Sequence, residues 1–169
     1  MARIGSAVVA GFLLMNGPVT GQDVTEPALK AAFIYNFAKF TEWPAALAQE
    51  PFVLCVVGDA AVREALARAV QDRVLDGQQL RVSFVAPGDA PPKCRLLYIS
   101  SVTTRQAATL LAGVRDMPVL TMSDLDGFTD LGGIARLFFE SGRMRFVVNV
   151  ASADRAHLHI SGRLLILGK

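Results

Sequence analysis

The chain has 169 residues, of which 52% are hydrophobic, and its formal net charge is +2. This length suits one domain built around a single core. The net charge is small and no run of like charges stands out, so we predict no nucleic-acid-binding surface and no nucleic-acid partner.

The N-terminus has the pattern of a secretory signal peptide. Arg3 precedes an uncharged apolar run over residues 4–15. This run is shorter than the roughly 20 residues that a membrane-spanning helix needs. Val19 and Gly21 occupy the −3 and −1 positions of a plausible cleavage site. We therefore predict a signal peptide over residues 1–21, cleaved near Gly21, with an uncleaved anchor as the alternative.

We expect residues 22–169 to form one domain in the periplasm, and the cysteine content fits that compartment. Cys55 and Cys94 are the two cysteines of the chain. An even number of cysteines in an oxidising compartment favours a disulfide, and two buried thiols are the alternative. No CxxC motif or Cys/His spacing indicates a metal site or redox catalysis.

The first predicted helix begins after Thr25, which we interpret as its N-cap, and runs to about Phe40. Its large apolar residues recur at helical spacing and fall within a quarter-turn of one another, which predicts the face that packs on the core. These residues are Leu29, Phe33, Phe37 and Phe40.

The reverse side of this helix is also largely apolar. A helix that is apolar on most sides is covered on most sides, by its own domain and by a neighbour or partner chain. We therefore predict that Ile34, Tyr35 and Trp43 are partner-binding residues. The helix ends before Trp43-Pro44, because a residue that precedes proline is disfavoured in the helical region.

Apolar, β-branched runs then alternate with amphipathic segments. Continuous apolar runs are typical of strands buried on both faces, and the segments between them have helical periodicity. Asp59 stands where an N-cap is expected. The predicted strands are 52–57, 80–85, 95–100 and 118–122, and the predicted helices are 60–71 and 103–114.

The last third of the chain changes in pattern. Strands over 134–139 and 144–150 are joined by a turn with Gly142 at a left-handed position, which predicts a hairpin. A short helix over 151–156 and an apolar segment of uncertain type over 160–167 follow. The alternation of strands and helices, ending in a hairpin, predicts an α/β fold. We expect a three-layer α/β/α sandwich with a mostly parallel sheet and an antiparallel C-terminal hairpin.

In such a sheet, ligands usually bind beyond the carboxyl ends of the strands. The polar residues at the predicted strand ends are Asp59, Ser100, Ser101, Ser123 and Asp124. This set contains no histidine, and the chain has no GxSxG motif, P-loop or GxGxxG motif. We therefore predict that the protein is not an enzyme, and we identify no catalytic, cofactor-binding or metal-binding residues.

Three arginines, Arg136, Arg143 and Arg145, alternate along the predicted hairpin, so two or three of them share a face. One interpretation is a solvated edge whose charges block unwanted strand pairing. The other is a binding surface for an anionic partner, and on that basis the three arginines are candidate partner-binding residues.

The ordered set of motifs resembles the YfiR/HmsC-like family of exported regulators. The matching segments cover nearly the whole chain after residue 21. They are KAAFIYNFAKFTEWP at 30–44, FVLCVVGD at 52–59, CRLLYISS at 94–101 and the block from DLGGIARLFFESGRMRF to ISGRLLIL at 130–167.

The resemblance implies a periplasmic α/β sandwich that forms a homodimer and has no known catalysis or cofactor. In the best-known member, the protein represses an inner-membrane diguanylate cyclase by binding its periplasmic region. An outer-membrane lipoprotein relieves that repression by sequestering it. Cys55 and Cys94 match a disulfide position of that member, whereas a second cysteine pair near the hairpin is absent from this sequence.

Two functional hypotheses follow. The first is a periplasmic repressor that controls cyclic di-GMP synthesis by contact with a membrane diguanylate cyclase. The alternative is a periplasmic small-molecule sensor that passes a signal to a membrane kinase or cyclase. In that case Tyr35 and Trp43 are the candidates for stacking on an aromatic or nucleotide-like ligand.

Overall fold

The computed structural model describes residues 24–89 and 93–169. The helices are α1 (Glu26–Lys39), α2 (Ala60–Val70), α3 (Thr104–Val114), α4 (Val150–Arg155) and α5 (Gly162–Leu165). The strands are β1 (Thr41–Glu42), β2 (Phe52–Val57), β3 (Val74–Leu75), β4 (Gln78–Val85), β5 (Leu96–Ile99), β6 (Leu120–Ser123), β7 (Ala135–Glu140), β8 (Arg143–Val148) and β9 (His159–Ile160).

Seven strands form one sheet in the order β3-β4-β2-β5-β6-β7-β8. The strands from β4 to β7 are parallel, while β3 and β8 are antiparallel additions at the two edges. Strand β2 pairs with β4 on one side and with β5 on the other, so the chain reverses its direction of winding at β2. The predicted sheet, mostly parallel with an antiparallel C-terminal hairpin, is confirmed.

Helices cover both faces of this sheet. Alternate side chains of β2 enter two separate core clusters, one containing Leu54 and Val56 and the other containing Cys55 and Val57. Buried residues of α1, α2, α4 and α5 belong to the first cluster, and those of α3 belong to the second. Because β2 is buried on both faces, its sequence is a continuous apolar run rather than an alternating one.

The buried face of α1 differs from the predicted one. The residues that α1 buries are Lys30, Ala31, Ile34, Phe37 and Ala38. At 100° per residue, the centre of this set lies about 100° around the helix from the predicted aromatic stripe. Phe33 and Phe40 are only half-buried, so the prediction of a core role holds fully for Phe37 alone. The prediction assumed that the largest apolar side chains mark the buried face, but α1 packs on the core partly through alanines.

The C-terminal segment of uncertain type resolves into two short elements, β9 and α5. Strand β9 pairs antiparallel with β1, which directly follows α1, so that Thr41 lies opposite Ile160 and Glu42 opposite His159. Strands of two residues carry no readable periodicity, and neither of them could be predicted. The pairing of β1 with β9 holds the C-terminal end of α1 against the C-terminal segment of the chain.

One of the two predicted helix caps is confirmed, the other is only partly so, and the structure adds a third cap, at Thr103, that was not predicted. Asp59 accepts a hydrogen bond from the Val62 amide at 3.0 Å, and Thr103 forms a capping box with Gln106. Thr25 occupies the N-cap position of α1, but its side chain makes no capping hydrogen bond.

This difference gives a matched pair of substitutions. We expect Thr103→Ala to lower the free energy of unfolding by about 1 kcal/mol, because it leaves helix amides unpaired. Thr25→Ala removes no such bond and should change stability by only a few tenths of a kcal/mol. Urea unfolding of both variants checks this, and equal losses would contradict the assignment of the capping box.

None of the helices in residues 24–89 and 93–169 is long and apolar enough to cross a membrane. The predicted signal peptide over residues 1–21 lies outside the described residues.

Candidate functional site

All three predicted hairpin arginines lie on one face of the β7–β8 hairpin. In its register, Arg136 pairs with Val147, Phe138 with Arg145 and Glu140 with Arg143. Side chains opposite each other in an antiparallel pair point to the same side of the sheet. We call this set the hairpin face, and it consists of Arg136, Phe138, Glu140, Arg143, Arg145 and Val147.

A two-residue turn sets this register. Ser141 and Gly142 both have positive φ angles, of 49° and 74°. Such a turn joins strands directly and matches their right-handed twist, which keeps the pairing in register up to the tip.

The hairpin face is not covered by the domain's own helices. Its two apolar residues, Phe138 and Val147, belong neither to a core cluster nor to the side chains packed against one, and Arg143 and Arg145 are exposed. The opposite face of the same hairpin is different, because Leu137 and Phe146 are buried there and Phe146 packs edge-on against Phe37 of α1 at 5.0 Å. The hairpin therefore has one face that reaches the core and one partly exposed face, on which Arg143 and Arg145 are the exposed residues.

The hairpin face is positively charged overall. It carries three guanidinium groups and one carboxylate, Glu140, whose pKa is lowered mainly by its hydrogen bond to Lys169 and further by Arg145. The Arg136 guanidinium pairs with Asp126 and lies 4.7 Å from the centroid of the Phe138 ring. No ion pair among the described residues involves Arg143. A face that combines arginines with a half-buried aromatic ring has the composition of an interface core.

The three candidate partner-binding residues around α1 have different positions. Ile34 has 0% exposure and belongs to the monomer's own core, so its side chain cannot contact a partner in this fold. The prediction for Ile34 was wrong, because its position faces the sheet once α1 is rotated from the expected orientation.

Tyr35 and Trp43 are half-buried and already packed within the chain. The Arg73 guanidinium lies 5.0 Å from the centroid of the Tyr35 ring. Trp43 packs edge-on against Phe52 at 5.0 Å, and its Nε1 donates a hydrogen bond to the Arg95 carbonyl at 3.3 Å. Arg73 immediately precedes β3, at the opposite edge of the sheet from β8. Tyr35 and the hairpin face therefore lie toward different edges of the sheet.

Polar side chains gather at the carboxyl ends of the parallel strands, as predicted, but they bind one another. The Lys30 ammonium lies 2.6 Å from a carboxylate oxygen of Asp124, and Ser100 donates to the same oxygen at 3.0 Å. Burial disfavours the charge of Lys30, but its ion pairs with Asp124 and Glu26 outweigh that effect and raise its pKa.

Tyr98 lies at the base of this cluster and is completely buried. Its hydroxyl has no hydrogen-bond partner among residues 24–89 and 93–169, and burial, followed by the charge of Asp124, raises its pKa. Lys30 comes from α1 and therefore occupies the region where a ligand of a parallel sheet would bind. Among the described residues, no group of three or more His, Cys, Asp or Glu side chains could hold a metal ion.

The whole domain matches one known family. The family model described as YfiR/HmsC-like matches residues 27–169. The chain belongs to the YfiR/HmsC-like family. Proteins of this family are periplasmic regulators rather than enzymes, and the family suggests a role in cyclic di-GMP signalling. A search of curated proteins finds no match to the chain.

In this YfiR/HmsC-like chain, Cys55 and Cys94 form a disulfide with a Cα–Cα distance of 5.9 Å. Cys55 lies within β2, and Cys94 lies just before β5, the neighbouring strand. The bond therefore joins the two central strands of the sheet. The structure thus contains the favoured pairing.

Sequence reasoning missed Phe138, Glu140 and Val147 as members of the hairpin face. The signal that could have found them is the two-residue period of the strands, since Arg136, Phe138 and Glu140 alternate along β7. It also missed the role of Lys30, whose carboxylate partner Asp124 lies 94 residues away in sequence.

Proposed function

We propose that this protein is a periplasmic repressor that holds an inner-membrane diguanylate cyclase inactive by binding the periplasmic region of that enzyme. Membership of the YfiR/HmsC-like family supports the regulatory class. The hairpin face supports the mode of action, because it is a partly exposed, arginine-rich surface on an edge hairpin. A homodimer, and relief of repression by an outer-membrane lipoprotein, are parts of this proposal that rest on the family resemblance.

The chemistry of the hairpin face specifies what the partner presents. Guanidinium groups form paired hydrogen bonds with carboxylates, and these are stronger than hydrogen bonds between neutral groups. Phe138 adds an apolar surface at the centre of the charged group. We therefore propose that the cyclase offers an acidic segment with an apolar residue at its centre. Complementary charges would also increase the rate of association.

Charge reversal on the hairpin face tests this proposal. We expect Arg143→Glu/Arg145→Glu to weaken binding to the purified periplasmic region of the cyclase by at least about tenfold, which corresponds to about 1.4 kcal/mol. The neutral variant Arg143→Gln/Arg145→Gln should give a smaller loss. In cells that lack the natural protein, cyclic di-GMP should rise in the same order.

The control makes an equal change of charge elsewhere. Arg81 on β4 and Arg105 on α3 are both exposed and lie outside the hairpin face. Arg81→Glu/Arg105→Glu should therefore bind and repress as the unmodified protein does, and thermal unfolding would show that all variants are folded. Unchanged binding by the hairpin variant, or an equal loss in the control, would rule out the hairpin face as the interface.

Tyr35 and Trp43 fit the alternative hypothesis of a small-molecule sensor poorly. Each ring is already engaged within the chain, Tyr35 by Arg73 and Trp43 by Phe52 and the Arg95 carbonyl. Both stay in the proposed partner surface as secondary candidates, and Ile34 is removed from it. A ligand-binding site has to be sought in another part of the molecule.

A further inference from the structure

A cleft of about 220 Å³ opens on the side of the sheet covered by α3. Its walls are α3, the residues that lead into β6, the segment before β7, and α4. The apolar lining is aliphatic and contains no aromatic ring. Its larger side chains are Leu111, Val114, Val119, Leu131 and Ile134. The volume is below the 300–1,000 Å³ or so that is usual for drug-sized ligands, so the cleft suits a smaller molecule.

Among the described residues, the charged side chains that line the cleft are those of Arg115 and Arg155, and no acidic side chain lines it. Both arginines are exposed residues, and the Arg155 guanidinium also donates a hydrogen bond to the buried Ser152 hydroxyl. They also follow or end helices, where a cation is favoured by the helix dipole. That dipole amounts to only about half a negative charge at each helix end. The two full positive charges outweigh it, so the lining of the cleft carries a net positive charge, although Asp116 and Asp154 lie next to the two arginines in sequence.

The buried polar groups of the cleft are also available as donors. Thr121 and Ser152 are each only 4% exposed. The Thr121 hydroxyl oxygen accepts a hydrogen bond from the Ile134 amide at 3.1 Å, and the Ser152 hydroxyl oxygen accepts one from Arg155 at 2.7 Å. A hydroxyl that accepts one bond still has its own hydrogen to donate. Among the described residues, no acceptor takes either of these hydrogens.

The cleft is held in shape by bonds that do not depend on a ligand. Asn149 is the N-cap of α4, and its side-chain oxygen accepts a hydrogen bond from the backbone amide of Ser152. Its own backbone amide donates to the Ile134 carbonyl at 2.7 Å. Its side-chain nitrogen donates to the Thr129 carbonyl at 3.0 Å. These bonds join α4 to the segment that leads into β7. A site held in this way loses little conformational entropy when a ligand binds.

We propose that this cleft binds a small aliphatic carboxylate. Its carboxylate group would be bound by Arg115 and Arg155, with the Ser152 and Thr121 hydroxyls as further donors, and its hydrocarbon chain would lie on the aliphatic wall. This proposal does not depend on repression of a cyclase, because none of these residues belongs to the hairpin face.

The probe for this site is octanoate, titrated into the full chain by isothermal calorimetry. We expect saturable binding of octanoate at one site per chain. Arg115→Gln and Arg155→Gln should each weaken that binding about tenfold, because each removes a charge-assisted hydrogen bond to the carboxylate. Arg105→Gln is the matched control, since Arg105 is an exposed arginine of the same helix α3 that does not line the cleft.

Two further compounds test the chemistry of the ligand. Octanol has the same chain without the charge and should bind at least about tenfold more weakly than octanoate. Octyl phosphate should bind no more tightly than octanoate. The proposal is overturned by absence of octanoate binding, by equal affinity for octanol, by tenfold tighter binding of octyl phosphate, or by unchanged affinity in both arginine variants.

Discussion

The double variant Cys55→Ala/Cys94→Ala should lose about 4 kcal/mol of its free energy of unfolding. The two cysteines are 39 residues apart in sequence, and their bond restricts the unfolded chain over that whole loop. In the chain-entropy model, releasing a loop of this length costs about 4 kcal/mol. This would be a large part of the 5–15 kcal/mol or so that is typical of a folded domain.

Urea unfolding measures this effect and also reports its origin. If the disulfide acts on the unfolded state, its removal makes that state more expanded, and the dependence of unfolding free energy on urea concentration should become steeper. A reducing agent should lower the stability of the unmodified protein to nearly that of the variant, and should leave the variant unchanged. An oxidised protein no more stable than the variant would contradict the prediction.

The disulfide is linked to Trp43 through Arg95, the residue that follows Cys94. Cys94 immediately precedes Arg95, whose guanidinium donates to the Leu47 carbonyl and, at 2.9 Å, to the Glu50 carbonyl. The Arg95 carbonyl accepts the hydrogen bond from Trp43. We therefore expect the tryptophan fluorescence of the reduced protein to change before the sheet unfolds.

Gly58→Ala should lower the free energy of unfolding by about 3 kcal/mol. Gly58 follows β2 with a φ angle of +81°, and a Cβ atom there would lie 2.1 Å from the Ser100 carbonyl oxygen. A positive φ costs a residue with a side chain about 1–2 kcal/mol. The overlap between this Cβ atom and the Ser100 oxygen adds about 1–3 kcal/mol to that cost. The oxygen belongs to the backbone, so it cannot rotate away as a side-chain atom could.

Gly77→Ala is the matched control for this substitution. Gly77 has a similar φ angle of +76°, but a Cβ atom there would have nothing within 4 Å. We expect Gly77→Ala to lower the free energy of unfolding by only about 1–2 kcal/mol, because backbone strain is its only cost. The difference between the two variants in thermal or urea unfolding then measures the contact with Ser100. Equal losses would mean that this contact does not constrain the fold.

The close approach at Gly58 lies at the place where ligands usually bind in this type of sheet. In doubly wound sheets, the crevice at the reversal of strand order is the usual ligand site. Here that crevice lies between the ends of β2 and β5. Gly58 brings the end of β2 against the Ser100 carbonyl, and Ser100 and Asp124 are joined to Lys30. The usual ligand site of the fold is filled by the protein's own groups.

Much of the secondary structure was predictable, because its signals are local. Asp59 and Thr103 are helix caps that act on amides three residues away, and the hairpin depends on the residues of its own turn. The alternation of β7 and β8 likewise determines that Arg136, Arg143 and Arg145 share a face. These interactions join neighbours in the chain, so the sequence alone contains them.

The orientation of α1 was not predictable in the same way. Its periodicity favoured the face with Phe33 and Phe40, whereas the structure buries Ile34 and Lys30. The choice depends on groups far away in sequence, such as Asp124 for Lys30 and Phe146 for Phe37. A helix with apolar residues on most sides does not specify which side meets the sheet.

The sequence by itself determined the α/β class, the mostly parallel sheet with its C-terminal hairpin, and the family. Only the tertiary structure decided which parts of the protein surface are exposed to solvent. Arg143 and Arg145 of the hairpin face are exposed, and the cluster in which α3 packs on the central strands includes no residue of β7 or β8. The cleft exists because residues 108–121, 131–134 and 152–156 meet in space. Which surfaces are covered depends on contacts between distant segments, and those contacts leave no periodic pattern in the chain.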